Sequence, residues 1–258
     1  MSTRRGMLWQ FYVLLFMLSV PFWLLGFVVG RLPIPINLPI AALMAGLPAA
    51  IALWLSRKDG RRRLVELLGR IVDVARVRNV AWIGVAALLM PAALVVAYGL
   101  QRMAGEALPA FEVSPATLGA FLVLFVVGGI GEELGWQGFV YPLMRARWSA
   151  LTSSVMLGSL WAMWHLVPFL QAERSGEWIL WQNLTMLPLR IITVWLFVNA
   201  GESVCVAIIF HAMCNVAQFS FPTYGSHYEP LMSFMVLTVI VIGIVASHGE
   251  TLERRQVI

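Results

Sequence analysis

Glu132 and Glu133 stand side by side inside a stretch, 116–141, that otherwise reads as a membrane-spanning helix. An ionised carboxylate at membrane depth costs roughly 2.5–3.5 kcal/mol on insertion scales, so a retained pair implies a use. Two further apolar segments carry polar side chains: His165 in Trp161-Ala-Met-Trp-His165, and His211 with Asn215 in His211-Ala-Met-Cys-Asn215. On a helix, Glu133 and Gln137 lie one turn apart and share a face, so the Gln137 amide can bond the carboxylate or a neighbouring helix. His211 and Asn215 share a face in the same way. Glu132 is rotated by about 100° from Glu133, so only one of the two can point straight into a common pocket.

A carboxylate beside two imidazoles can take a proton from water and pass it to a leaving group. An apolar surrounding favours the neutral form of a carboxyl, which brings a buried glutamate toward the range where a base works. The second imidazole and an amide can donate to the oxyanion that forms when water attacks a carbonyl. This division of labour predicts hydrolysis of a peptide bond by Glu132, Glu133, His165, His211 and Asn215. The sequence offers no obvious serine or cysteine nucleophile, which speaks against a covalent route. Zinc is the alternative: Glu132, His165 and His211 form a His-His-Glu set that can hold it with one position open to water. The H-E-x-x-H signature of zinc proteases is absent. Both routes to an activated water stay open at this point.

These side chains need elements that bring them to one depth. The chain has 258 residues, 60% hydrophobic and 12% charged, with a mean hydropathy of +0.82. A soluble domain would carry about 25% charged residues, so the composition predicts an all-α, polytopic transmembrane bundle folded as one domain over 1–258. Apolar runs predict about eight spans: 8–29, 38–55, 80–100, 116–141, 150–170, 179–199, 203–220 and 230–247. Pro21, Pro48, Pro91 and Pro188 fall within them, and neighbouring helices are expected to accommodate the kinks. At 1.5 Å per residue, Glu132, His211 and His165 lie roughly 14, 11 and 15 Å from the arginine-bearing end, one common level. Gly131 and Gly135 form a small-xxx-small pair that lets a neighbouring helix approach closely there.

Charge sets the expected orientation. Arg4, Arg5, the eight basic residues from Arg57 to Arg78, Arg145, Arg147, Arg254 and Arg255 fall at one end of the spans, against Arg31, Arg102 and Arg174 at the other. The positive-inside rule then predicts N-in, C-in topology in the cell membrane. The net charge of +5 reports this topology and implies no nucleic-acid partner; the partners implied are the lipid bilayer and a membrane-associated peptide or protein. Segment 56–79 places Leu64, Leu67, Leu68, Ile71, Val72 and Ala75 on one helical face. It reads either as an amphipathic helix on the inner leaflet or as a solvated linker between spans two and three. Cys205 and Cys214, nine residues apart on one helix, point to opposite sides and cannot pair there.

Glu132-Glu133-Leu-Gly-Trp-Gln137-Gly, Trp161-Ala-Met-Trp-His165 and His211-Ala-Met-Cys-Asn215 together resemble the three motifs of the CPBP intramembrane proteases. That family includes the CAAX prenyl endopeptidases and bacterial abortive-infection and bacteriocin-processing relatives. The resemblance covers about 115–220, the motif-bearing core. It implies that Glu132 activates water with His165 assisting, and that His211 and Asn215 stabilise the oxyanion. It also implies a bacterial plasma-membrane protein acting on membrane-associated peptides. Two positions depart from the family pattern. Trp161 stands where phenylalanine is common, and Gln137 stands where the family has arginine, which leaves Glu133 without the expected countercharge. That departure raises a non-catalytic immunity or chaperone-like role as the second reading. A proton-coupled transporter using both glutamates is the third. Trp161, Trp164 and Trp136 are assigned first to packing, and Trp161, with Gln137 and Arg190, is also expected to support the site or its substrate. Three uses are open to Arg190 within span six: snorkelling, lining the cavity, or pairing with a carboxylate such as Glu133.

Overall fold

Backbone groups in hydrocarbon must bond within their own segment, and this chain meets the requirement with helices throughout. The computed structural model describes residues 2–34, 36–58 and 60–253, with side chains from Gly6 onward. In chain order the helices are α1 (Ser2–Val29), α2 (Leu47–Lys58), α3 (Arg61–Gly69), α4 (Ala81–Met103), α5 (Pro115–Gly135), α6 (Tyr141–Arg145), α7 (Ala150–Gln171), α8 (Gly176–Asn199), α9 (Val204–Ser220) and α10 (Pro230–His248). Among the described residues the only bridge pairing is the isolated one between Arg31 and Pro39.

Among the described residues seven helical segments are long and apolar enough to cross a membrane, and α9, at 17 residues, is shorter. The expected eighth span therefore exists as an apolar helix of about 25 Å. It lies in the interior, with Val204, Val206 and Ala207 fully buried. Pro48 does not kink a span. It sits in the first turn of α2, where a 3₁₀ turn (Ile40–Gly46) passes into α-helix. The orientation expected from arginine placement leans partly on Arg254 and Arg255, which lie outside the described residues, as do the side chains of Arg4 and Arg5.

The four helices that carry the polar motifs each begin at a serine. Ser114, Ser149, Ser175 and Ser203 accept hydrogen bonds from the N–H groups of Thr117, Thr152, Trp178 and Val206. Each cap satisfies one of the N–H groups that a helix start leaves unpaired. These starts fix where Glu132, His165, Arg190 and His211 fall along the bundle.

The small-residue pair on α5 packs against the 3₁₀ turn Ile40–Gly46 and the start of α2. A Cβ on Gly131 would lie 2.6 Å from the Ala45 carbonyl oxygen, and one on Gly135 would lie 2.5 Å from the Pro48 backbone. Gly129, on another side of α5, would meet the Ile208 carbonyl of α9 at 3.2 Å. Backbones packed this closely bring Glu132 and Glu133 within reach of their partners.

Segment 56–79 forms α3 and a 3₁₀ continuation, Arg70–Arg76. Leu67 is buried against Gly138, whose added Cβ would meet it at 3.0 Å, while Leu68 and Val72 stay exposed. Asp73 reaches the start of α9, accepting from Ser203 Oγ at 2.7 Å and from the Val204 and Cys205 N–H groups at 3.2 and 3.0 Å. Arg70 and Arg76 flank it at 3.5 and 3.8 Å. The segment is thus fastened to the helix that carries His211.

Candidate active site

Glu132 lies one turn before a widening of its helix: Trp136–Val140 is π-helical, between α5 and α6. Such single π-turns recur at functional sites because they re-aim side chains. Here the turn directs the Trp136 indole N–H back to Glu132 Oε2 at 3.3 Å, and Trp161 on α7 donates to the same oxygen at 2.7 Å. One oxygen of the carboxylate is therefore held by two indoles. The other, Oε1, faces His165 Nε2 at 3.8 Å and His211 Nε2 at 3.9 Å. These separations exceed a direct hydrogen bond and leave room for one small molecule touching all three groups.

Both imidazoles are oriented from behind. His165 Nδ1 lies 3.0 Å from the Trp161 carbonyl, which can only accept, so Nδ1 carries the hydrogen. His211 Nδ1 donates to Glu133 Oε1 at 2.7 Å. In the neutral rings each Nε2 then turns a lone pair toward Glu132 Oε1. Three acceptors face one point, and a water molecule seated there can donate to two of them.

Glu133 is fully buried and does not line the cavity. The helical rotation between neighbours explains the split: Glu132 faces the cavity and Glu133 faces the protein. Arg190, only 1% exposed, places Nη1 3.0 and 2.8 Å from the two oxygens of Glu133. The guanidinium also lies over the Trp161 ring, 4.5 Å from its centroid. Gly158 permits this, since an added Cβ would stand 3.2 Å from Arg190 Cβ. Of the three uses open to Arg190, two are observed: it pairs with Glu133 and it lines the cavity.

Gln137 corrects the sequence reading. It is fully buried, and neither amide atom has a hydrogen-bond partner, Glu133 included. The one-turn spacing predicted a bond to Glu133 that the fold does not make, in a stretch where the helix widens to π over Trp136–Val140. The countercharge comes instead from α8, 57 residues away in sequence. Trp136, expected only to pack, also holds the Glu132 carboxylate, and Trp161, expected to support the site as well as to pack, holds the same oxygen. The four-residue spacing from Glu132 to Trp136 was the available signal for the first.

Glu132, His165, His211, Asn215, Trp161 and Arg190 all line one cavity of about 210 Å³. Asn215 is half-buried, one turn beyond His211. Cys214 lines the cavity three residues after His211, and its thiol makes no hydrogen bond to either ring. From the acid, the cavity runs toward Asn37, Arg174, Trp178 and Gln218. These residues sit at the ends of helices opposite Arg57–Arg78. The depth estimate put the three groups at one level nearer the arginine-bearing end, with cleavage expected on that side, whereas the cavity runs to the other end. Leu67, Phe139 and Tyr141, all buried, close the arginine-rich side beneath the acids.

Among the described residues, no group of three or more His, Cys, Asp or Glu side chains converges closely enough to hold a metal ion. Zinc with ligand bonds of about 2.0–2.1 Å needs tetrahedral edges of about 3.3 Å. The 3.8 and 3.9 Å separations here are wider, so the three side chains as placed do not fit a zinc ion.

Comparison with known proteins places this site in context. Residues 114–217 match the family model described as Type II CAAX prenyl endopeptidase, Rce1-like. CAAX prenyl protease 2 of Methanococcus maripaludis is 27% identical over 171 residues, a match covering 59% of this chain and 61% of that protein. The chain thus spans about three-fifths of the length of that relative. Both matches support the resemblance to the CPBP intramembrane proteases carried by the three motifs. With its seven long apolar segments, the chain is a multi-pass membrane protein.

Proposed function

We propose that this protein is an intramembrane endopeptidase that hydrolyses a peptide bond of a membrane-associated protein or peptide with water activated by Glu132. The observation that carries the reading is the approach of His165 Nε2 and His211 Nε2 to one free oxygen of Glu132 inside a cavity. A water seated among these three groups gives a proton to Glu132 as its oxygen attacks the substrate carbonyl carbon. The oxyanion that forms takes hydrogen bonds from the Asn215 amide and from His211 in its protonated form, whose Nδ1–H the Glu133 carboxylate accepts. As the C–N bond breaks, Glu132 returns the proton to the leaving amine, with His165 holding the water and then the carboxylic acid product in place.

Arg190 supports the catalytic reading over a non-catalytic scaffold. The scaffold was suggested by Gln137 standing where the family has arginine, and Arg190 supplies Glu133 with the charge that Gln137 lacks. The N-in, C-in orientation belongs to the same proposal. It puts the cavity rim at Asn37 and Arg174 on the outer side of the plasma membrane, so a substrate enters from there.

The test is comparative membrane proteomics of cells carrying wild type or Glu132→Gln, followed by cleavage of the accumulating precursor by protein in liposomes. Positioned acid–base groups contribute about 10²- to 10⁴-fold, so Glu132→Gln and His165→Ala should each lower turnover by at least about 100-fold. Variants that cleave at the wild-type rate would refute the reading.

A further inference from the structure

The arginine-rich segment between α2 and α4 turns Leu67 and Asp73 toward the bundle and leaves an outward face that is both basic and apolar. From Arg57 to Arg78 it carries eight basic residues against three acids, Asp59, Glu66 and Asp73. Glu66 is engaged by Arg62, and Asp73 by Arg70 and Arg76. Arg57, Lys58 and Arg61 are exposed, and among the described residues none of them is paired with a carboxylate. Hydrophobic side chains share this surface. Leu67 points at Gly138; Leu68 is turned about 100° from it and Val65 about 160°, and both are exposed. Val72, farther along, is 75% exposed. A helix facing only water gains nothing from such a strip, whereas one lying on a bilayer buries it at the acyl boundary. Trp54 marks the depth. It is exposed near the end of α2, with Lys58 Nζ 3.8 Å from its ring centroid. Indoles are enriched at headgroup level, and α3 begins three residues after Lys58. The surface is also held in shape, since Arg70 donates to the Glu202 carbonyl and Asp73 bonds the start of α9.

We propose that segment 57–78 is a binding surface for anionic phospholipid, with Arg57, Lys58 and Arg61 on the headgroup phosphates and Val65, Leu68 and Val72 among the upper acyl chains. Charge and apolar surface together select this occupant. A guanidinium matches a phosphodiester in geometry as well as charge, and basic clusters on an amphipathic helix attract anionic lipid. A zwitterionic headgroup carries its own ammonium, which offsets the phosphate. A free anion has no acyl chain to cover the valine and leucine side chains. Because the fold already holds the segment in place, lipid binding does not have to order it. The lipid contact stands apart from the chemistry at Glu132, since none of these residues lines the cavity.

The probes are phosphatidylglycerol and phosphatidylcholine with the same acyl chains, titrated onto the full chain in detergent, with dissociation constants read by native mass spectrometry. Each cation near an anionic lipid surface is worth about fivefold, so wild type should bind phosphatidylglycerol more tightly by at least about tenfold. Arg57→Gln, Lys58→Gln and Arg61→Gln together should weaken phosphatidylglycerol by up to about a hundredfold and leave phosphatidylcholine unchanged. Leu68→Ser with Val72→Ser should weaken both lipids alike. All five side chains are exposed, so thermal unfolding of these variants without lipid should match wild type. Wild type alone gives a second arm: raising salt to about 0.5 M screens exposed charges and should remove most of the preference. Equal affinity of wild type for the two lipids overturns the proposal. So does a preference that survives the triple change or the added salt. Inorganic phosphate that displaces phosphatidylglycerol at constant ionic strength would assign the cations to a free anion and overturn it too.

Discussion

Removing the Arg190 guanidinium should expose how much of this bundle depends on one buried charge pair. Glu133 is fully buried and Arg190 is 1% exposed, with the salt bridge closing at 2.8 Å. Taking away one partner of such a pair leaves an uncompensated buried charge and costs about 3–5 kcal/mol. Arg190→Met should therefore destabilise the protein by about 3 kcal/mol or more. Glu133→Gln strands the arginine instead and also removes the acceptor for His211 Nδ1, for a similar cost. The double variant leaves neither charge behind. If the pair is coupled as the geometry implies, it should cost about 3 kcal/mol and not the sum of about 6, a coupling of about 3 kcal/mol. At about 2–4 °C per kcal/mol for a chain of this size, each single change lowers the unfolding midpoint by roughly 6–12 °C, and the double change does no worse. Thermal unfolding of the four proteins in one detergent measures this. Additive losses, or an Arg190→Met protein as stable as wild type, would refute the argument that Arg190 replaces the missing arginine at position 137.

The remaining tests address the acid, its depth, its helix and its water. Trp161→Phe removes the 2.7 Å bond to Glu132 Oε2 but keeps a ring and the Trp136 donor, so turnover should fall about tenfold, within the worth of one bond to a charged group; an unchanged rate would mean that the indole only packs. Gly135→Val forces a side chain into the Pro48 backbone 2.5 Å away and should destabilise the protein by about 1–3 kcal/mol or more, whereas Gly119→Ala, with nothing within 4 Å, should not. Asp73→Ala strips the start of α9 of three hydrogen bonds and should cost about 1–2 kcal/mol in chemical denaturation, with Asp73→Asn recovering part of it. Exhaustive chelation should leave cleavage unchanged, and activity lost to a chelator and restored by zinc would replace the water mechanism with a metal one. A single cysteine at Asn37 should react with an impermeant maleimide in intact cells, and labelling only in inverted vesicles would reverse the proposed orientation.

Composition and helical periodicity were enough to read the class of the molecule, its helical segments to within a few residues, and the common depth of Glu132, His165 and His211. Hydropathy and rise per residue are local properties, and in a membrane the backbone has no option but to pair locally. The split between a cavity-facing Glu132 and a protein-facing Glu133 followed from the same local rotation. Three things came only from the assembled bundle. Arg190 pairs with Glu133 from another helix, a choice that depends on Gly158 letting α7 and α8 close together. Gln137 makes no bond to Glu133, and the helix widens over Trp136–Val140, a departure from α periodicity that no count of α-helical turns contains. The cavity opens away from the arginine-rich end because α3 folds back under the acids, Leu67 against Gly138 and Asp73 on α9. Apart from the local widening at Trp136, these are contacts between distant parts of the chain, such as Glu133–Arg190 at 57 positions and Asp73–Ser203 at 130, and long-range packing is invisible to any rule that reads the chain one turn at a time.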